Sequence, residues 1–231
     1  MKKYKDISSL QKYIRKYNLE EVIDEKLIIN HEFHQFNKGE LMCRLGNKIE
    51  KFYILLEGSV KVFTISADGK VLCLRIFDSI TNLGDIELIT ETKYRCNVEV
   101  LVDSLCVAFP IDIVRDISLN NNAFLRYLCS DLCNKFDVIS SISSNNLLYP
   151  LKNRLIGYIL EYMNESTQIT EFPFAYKELA EMLGVSYRHL SRSINELEEQ
   201  GLIEKKGSRL KILNEAELRD FSFEAYPHKS I

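Results

Sequence analysis

The chain has no cysteines at CxxC spacing, no long apolar run, no surplus of positive charge and few histidines, and each shortage removes a class of protein. Its six cysteines, at positions 43, 73, 96, 106, 129 and 133, are scattered too widely for a small disulfide framework, so reduced thiols are the default. Cys73 and Cys106 sit in strand-like runs and are expected in the core. No window approaches the ~18 uninterrupted apolar residues that cross a bilayer. MKKYKDISSL has the basic start of a secretory signal but no apolar run after it, so the chain reads as soluble and cytoplasmic. A net charge of -3 excludes a generic polycation. The four histidines, at 31, 34, 189 and 228, never gather three together with a carboxylate, which argues against a metal-holding cupin enzyme. GxSxG, HExxH and P-loop patterns are absent too, so no enzyme is expected.

What is present is concentrated between Tyr176 and Arg209. Apolar residues recur at helical spacing as Leu179, Ala180 and Leu183, stop at Gly184, and resume as Leu190, Ile194 and Leu197. Two amphipathic helices meeting across a glycine turn make a helix-turn-helix. Gly184 supplies the left-handed residue that ends the first helix, and Ser186 caps the second. Once the apolar stripe is set aside, the start of the second helix presents Tyr187, Arg188, His189, Ser191, Arg192 and Asn195, with no carboxylate before Glu196. Such a face suits a major groove, where arginine donates to guanine or phosphate and Ser or Asn bonds bases or backbone. Beyond Gly201, alternation from Leu202 to Leu213 around EKKGSR predicts a hairpin with Gly207 at its tip. This wing would set Lys205, Lys206 and Arg209 against the sugar-phosphate backbone. Residues 150–213 hold nine Lys and Arg and nine Glu, so any attraction to DNA must come from segregated charge.

This stretch, ELAEMLGVSYRHLSRSINELEEQGLI above all, resembles the winged helix of the CRP/FNR superfamily of bacterial regulators, in which a ligand-sensing jelly roll precedes the DNA-binding domain. Upstream, β-branched and aromatic runs such as EKFYILLEGSVKVFTI, KVLCLRIF and RCNVEVLVDSLCVAF are broken by Gly39, Gly46, Gly58, Gly69 and Gly84, as in an antiparallel sandwich or barrel. KGELMCRLGNKIEKFYILLEGSVKVF resembles the start of that superfamily's cyclic-nucleotide-binding jelly roll. The fold expected is therefore α+β: a double-stranded β-helix, a long dimerisation helix and a winged helix-turn-helix. The sensor domain is placed at residues 1–148 and the DNA-binding domain at 149–231.

Residues 6–30 read as a helix bearing Leu10, Tyr13, Ile14 and Tyr17, then a second near Glu20 to Leu27. Residues 111–148 read as one long helix with Leu125, Leu128, Leu132, Ile139 and Ile142 on a heptad seam that Lys135 and Asn146 interrupt, suited to a parallel homodimer. Pro150 marks the hinge, and a helix bearing Leu155, Tyr158 and Ile159 follows. Asn214–Ile231 reads as a short helix and a loose tail.

The resemblance extends to the effector site, where this chain has NLGDIELITETKYRCNV. Gly84 and Arg95 match the nucleotide-binding pattern, in which the glycine opens a helix and the arginine neutralises phosphate. Asp85 replaces a glutamate, Glu87 adds charge beside Ile86, and Cys96 replaces a hydroxyl. Ile139 and Ser140 align with a Thr-Ser pair that contacts adenine in some members, and isoleucine offers no hydrogen bond. The effector stays open among cyclic AMP or GMP, a ligand-free site with Arg95 paired to Asp85 or Glu87, and a thiol switch whose pKa Arg95 lowers at Cys96. An iron-sulfur cluster drawing on Cys129 and Cys133 or a haem at His31 or His34 is less well supported. Arg188 stands where many members carry a base-reading Glu, and Tyr187 where some carry Arg. Arg192 matches the family's arginine one turn on. The resemblance implies double-stranded DNA with inverted half-sites as partner, together with a second copy of the chain and RNA polymerase. The competing expectation is a ligand-binding or protein-interaction module whose winged helix does not read DNA.

Overall fold

Asp6 accepts the Ser9 amide at 3.0 Å and so starts helix α1 (Ile7–Lys16), whose apolar stripe buries Leu10 and Ile14. Ahead of it strand β1 (Lys2–Tyr4) pairs antiparallel with the strand that follows the second helix, an element too short to show in the sequence pattern. The second helix, α2 (Glu25–Asn30), starts later than expected because Asp24 caps it, accepting the Lys26 amide at 2.8 Å. The computed structural model describes residues 1–78 and 80–221. The expected tail, with His228, lies outside the described residues beyond position 221.

Strands β2 (Glu32–Phe36), β3 (Leu41–Cys43), β4 (Lys51–Ile65), β5 (Val71–Phe77) and β6 (Thr81–Leu83) lead to a short helix α3 (Asp85–Thr90) and then to strand β7 (Asn97–Pro110). With β1 they form a seven-stranded antiparallel sheet in the order β1-β2-β7-β4-β5, with β3 added on β7 and β6 on β4. This is the jelly-roll-like sensor. The long strands β4 and β7 pair along most of their length, with register shifts between Leu55 and Val60. Gly58 was expected to end a strand but lies inside β4 at this irregularity. Its φ is +99°, and a Cβ there would come within 2.2 Å of Ser104 Oγ, so only glycine fits. Phe33, Phe52, Phe109, Leu55 and Leu88 fill the interior together with Cys43, Cys73 and Cys106. Burial raises the Cys43 thiol to about 12 and moves Cys106 in the same direction, so these cysteines behave as apolar filler.

The single helix expected over 111–148 is two helices. Helix α4 (Ile111–Ser118) ends before a run of three asparagines, and α5 (Asn122–Leu148) restarts where the Asn121 side-chain oxygen accepts the Ala123 and Phe124 amides at 2.8 and 3.2 Å. The heptad seam also needs correction. Phe124 and Leu128 are buried in the jelly-roll core, Leu132 packs partly against it, and Lys135 turns in to an acid on α3. The first half of that seam is therefore spent inside the subunit. The stripe left exposed on α5 lies one position round the helix, at Arg126, Cys129, Cys133, Phe136, Ser140, Ser143 and Leu147.

Contacts divide the chain into two units, Met1–Lys135 and Phe136–Ile231, with the division inside α5. In the second unit α6 (Leu151–Glu161) follows Pro150 and buries Leu155, Tyr158 and Ile159. Strands β8 (Met163–Asn164) and β9 (Ile169–Glu171) come next, then helices α7 (Tyr176–Met182) and α8 (Tyr187–Glu199), strands β10 (Ile203–Lys206) and β11 (Arg209–Ile212), and helix α9 (Glu215–Phe221). The second sheet runs β10-β11-β9-β8, so the wing hairpin is backed by two strands the sequence reading missed.

Candidate nucleic-acid interface and sensor site

Helix α7 ends at Gly184, whose φ is +65°, and the Val185 amide closes the turn on the Ala180 carbonyl at 3.0 Å. Ser186 then caps α8, its hydroxyl accepting the His189 amide at 3.2 Å. Leu179, Ala180, Leu183, Leu190, Ile194 and Leu197 are all buried, as the pattern required. That burial fixes which side of α8 is free. Ser186, Tyr187, Arg188, His189, Arg192 and Asn195 are exposed, and Ser191 is half-buried on the same side. Among the described residues neither Arg188 nor Arg192 makes an ion pair, since the salt bridges of this unit lie elsewhere.

The wing turns at Gly207 and Ser208 between Lys206 and Arg209, which face each other in register. Tyr176 holds its tip from α7, the phenol donating to the Ser208 carbonyl at 3.2 Å, and half-burial raises that phenol to about 12. Two of the three expected phosphate contacts carry local acidic partners. Lys206 pairs with Glu204 at 3.1 Å and Arg209 with Glu171 at 3.0 Å. Both pairs are exposed, a setting in which an ion pair contributes ~0–1 kcal/mol, so a phosphate can displace them. The Lys205 side chain has no ion pair among the described residues, while its amide donates to Glu198 at 2.8 Å.

Arg154 was not singled out from the sequence. It is buried, and its guanidinium donates to the Tyr149 carbonyl at 3.1 Å, the Leu183 carbonyl at 2.7 Å and Asn146. One side chain thus ties the end of α5 to the last turn of α7. A lone arginine in an amphipathic helix gives no sequence signal of such a role.

At the sensor site Gly84 starts α3 with φ +89°, and a Cβ there would meet Ile49 at 2.8 Å. Asp85 and Glu87 are each only 7% exposed, while Ile86 points outward. The Asp85 carboxylate takes the Lys135 ammonium at 2.6 Å. That ammonium also reaches Asp131 at 2.6 Å and the Asn82 carbonyl at 2.7 Å, so each of its three N–H groups has an acceptor. Asn82 is held in turn by Asp131 at 2.8 Å and by the Tyr127 phenol at 3.1 Å.

Arg95 departs from expectation. It is exposed, and Glu87 accepts its backbone amide at 3.1 Å rather than its guanidinium. Asp85 is paired with Lys135, so neither expected Arg95 pairing forms. The reason is a competing cation, supplied by the seam position that looked like a flaw in the coiled coil. Half-burial and the nearby Glu87 carboxylate raise the Cys96 thiol, the reverse of the activation expected from Arg95. Ile139 and Ser140 fall on the part of α5 that belongs to the second unit, and both are exposed. His31 and His34 are buried and hydrogen-bonded, His31 to the Asp6 amide and the Ile28 carbonyl and His34 to Glu32.

Residues 33–121 match the family model described as a cyclic nucleotide-binding domain, and residues 153–221 the one described as a Crp-like helix-turn-helix domain. The chain is 29% identical over 196 residues to the regulatory protein YeiL of Escherichia coli O157:H7, covering 84% of this chain and 87% of that one. It is 23% identical over 184 residues to the cAMP-activated global transcriptional regulator CRP of Pasteurella multocida, covering 77% and 88%. The fold matches a CRP/FNR-family regulator from Eubacterium rectale with a TM-score of 0.75 at 15% identity, over 91% of this chain and 98% of that one. The chain belongs to the CRP/FNR superfamily, and it is a DNA-binding transcriptional regulator. Regulators of this family act as dimers.

Proposed function

We propose that this protein is a cytoplasmic homodimer that reads inverted half-sites in duplex DNA and answers a small-molecule or redox signal received at its jelly roll. The observation that carries the reading is the pair of exposed arginines on α8, Arg188 and Arg192, beside Asn195 and with no acidic partner among the described residues. Charge kept free on a helix whose opposite side is buried is charge available to a partner. Arg188 donates to a guanine edge, Arg192 and Asn195 to bases or phosphates, and Lys205, Lys206 and Arg209 hold the sugar-phosphate backbone from the wing. The exposed stripe on α5 is the surface for the second copy, and a twofold axis there would set two α8 helices about one helical turn apart, ~34 Å. RNA polymerase is the partner through which bound protein would act on transcription.

The test is selection of bound duplexes from a random pool, with the protein reduced and then oxidised. The expected product is a palindromic consensus, and its appearance in only one state would identify redox control. Binding to duplex with no salt dependence and no enriched sequence would support the alternative, a winged helix used for protein contact.

A further inference from the structure

Phosphate needs donors and positive charge, and the buried ones around α3 are already committed. The Arg95 amide is bonded to Glu87 Oε1 at 3.1 Å. The three N–H groups of Lys135 are taken by Asp85, Asp131 and the Asn82 carbonyl. Arg115 on α4 is spent on main chain, donating to the Glu87 carbonyl at 3.3 Å and the Leu88 carbonyl at 3.4 Å. Two further cations on this segment, Lys93 and the Arg95 guanidinium, are exposed. Asp85 and Asp131 therefore share the Lys135 ammonium, and the Glu87 carboxylate is held by a main-chain amide instead.

We infer that Glu87 is a built-in anion that occupies the backbone donor a phosphate would otherwise use, closing the sensor site to phosphate-bearing ligands, cyclic nucleotides included. Two physical effects act together. The carboxylate fills the donor, and its charge, only 7% exposed, repels a second anion through a medium that screens poorly. Cys96 adds no compensating donor, since its thiol is a weak hydrogen-bond partner. Any signal the domain receives has to arrive by a route other than filling this site with phosphate.

The test is equilibrium dialysis of the full chain against cyclic AMP, cyclic GMP and inorganic phosphate, probed separately. Wild type is expected to retain none of them at millimolar concentration. Glu87→Ala vacates the amide and removes the charge, and is expected to bind at least one probe about tenfold or more tighter than wild type. Glu87→Gln keeps the shape and the hydrogen bond but removes the charge, so a smaller gain is expected; it also serves if the alanine variant does not fold. Replacement of the exposed Glu91 by Ala is the control and should change nothing. Wild type binding any probe as tightly as Glu87→Ala would overturn the inference, as would no gain in either folded Glu87 variant. The readout involves no DNA, so its failure would leave the DNA-reading proposal standing.

Discussion

Lys135 and Arg188 are both cations on helices, and the protein treats them in opposite ways. Lys135 is 14% exposed at its side chain and holds three oxygens of its own subunit. Arg188 is exposed and bonds none among the described residues. A cation enclosed with acids organises the fold, and removing it strands the charges it neutralised. A cation left idle costs the fold nothing to lose and marks the side from which a polyanion approaches. The two positions therefore differ in whether the charge they carry is already spent.

The contrast is tested hardest at Lys135. Replacing it with Met keeps the bulk and leaves the buried Asp85 and the half-buried Asp131 without this counterion, which is expected to cost about 3–5 kcal/mol. A urea midpoint falls accordingly. Adding Asp85→Asn should recover part of the loss, because the stranded charge rather than the missing ammonium is the main penalty. A Lys135→Met protein as stable as wild type would mean that the buried network does not bear on folding.

Arg188→Ala is the opposite case. Stability should be unchanged within about 0.5 kcal/mol, as for a surface substitution that leaves no group stranded. Preference at one base pair should relax, at a cost of about 1–3 kcal/mol. Uniform weakening over all sequences would reassign Arg188 to phosphate. On the wing, Lys205→Ala should lower the slope of log affinity against log salt by about one. Lys206→Ala and Arg209→Ala should lower it less, because Glu204 and Glu171 compete with phosphate for those two side chains.

The same division decides what the sequence made legible. The helix-turn-helix could be read because its burial pattern is local: Leu179, Leu183, Leu190 and Ile194 are spaced by the helix that buries them. The exposed arginines followed by subtraction. The sensor site resisted because its pairings are long in sequence, with Lys135 meeting Asp85 fifty positions away and Glu87 meeting a main-chain amide that no pattern of letters displays. The heptad on α5 was ambiguous at its first half for the same reason. A 3–4 spacing of apolar residues is produced equally by a partner helix and by the subunit's own jelly roll, and of the seam positions Leu128 and Leu132 were claimed by the latter. Strands β8 and β9, at two and three residues, are shorter than any periodicity can register.

A third arrangement lies between spent and idle charge, and it sets the smallest effect. His34 on β2 is buried against Phe36 and Tyr53, its Nε2 3.0 Å from Glu32, with Nδ1 lacking a hydrogen-bond partner among the described residues. Burial lowers its pKa below the ordinary value, Glu32 opposes that shift, and Lys3 and Lys51 add to it. The folded protein thus holds His34 neutral, with Nε2–H donating to the carboxylate. The unfolded chain takes up the proton at higher pH, so stability is full above about pH 6.5 and declines as pH falls below it. The depressed pKa of Glu32 acts in a separate window, below its ordinary 4.5. His34→Phe keeps an aromatic ring and removes the titrating group, and should flatten the dependence of the urea midpoint on pH between 7 and 5. An unchanged slope would show that the proton is taken up elsewhere, and that this buried base is no more costly to the fold at low pH than the exposed arginines of α8.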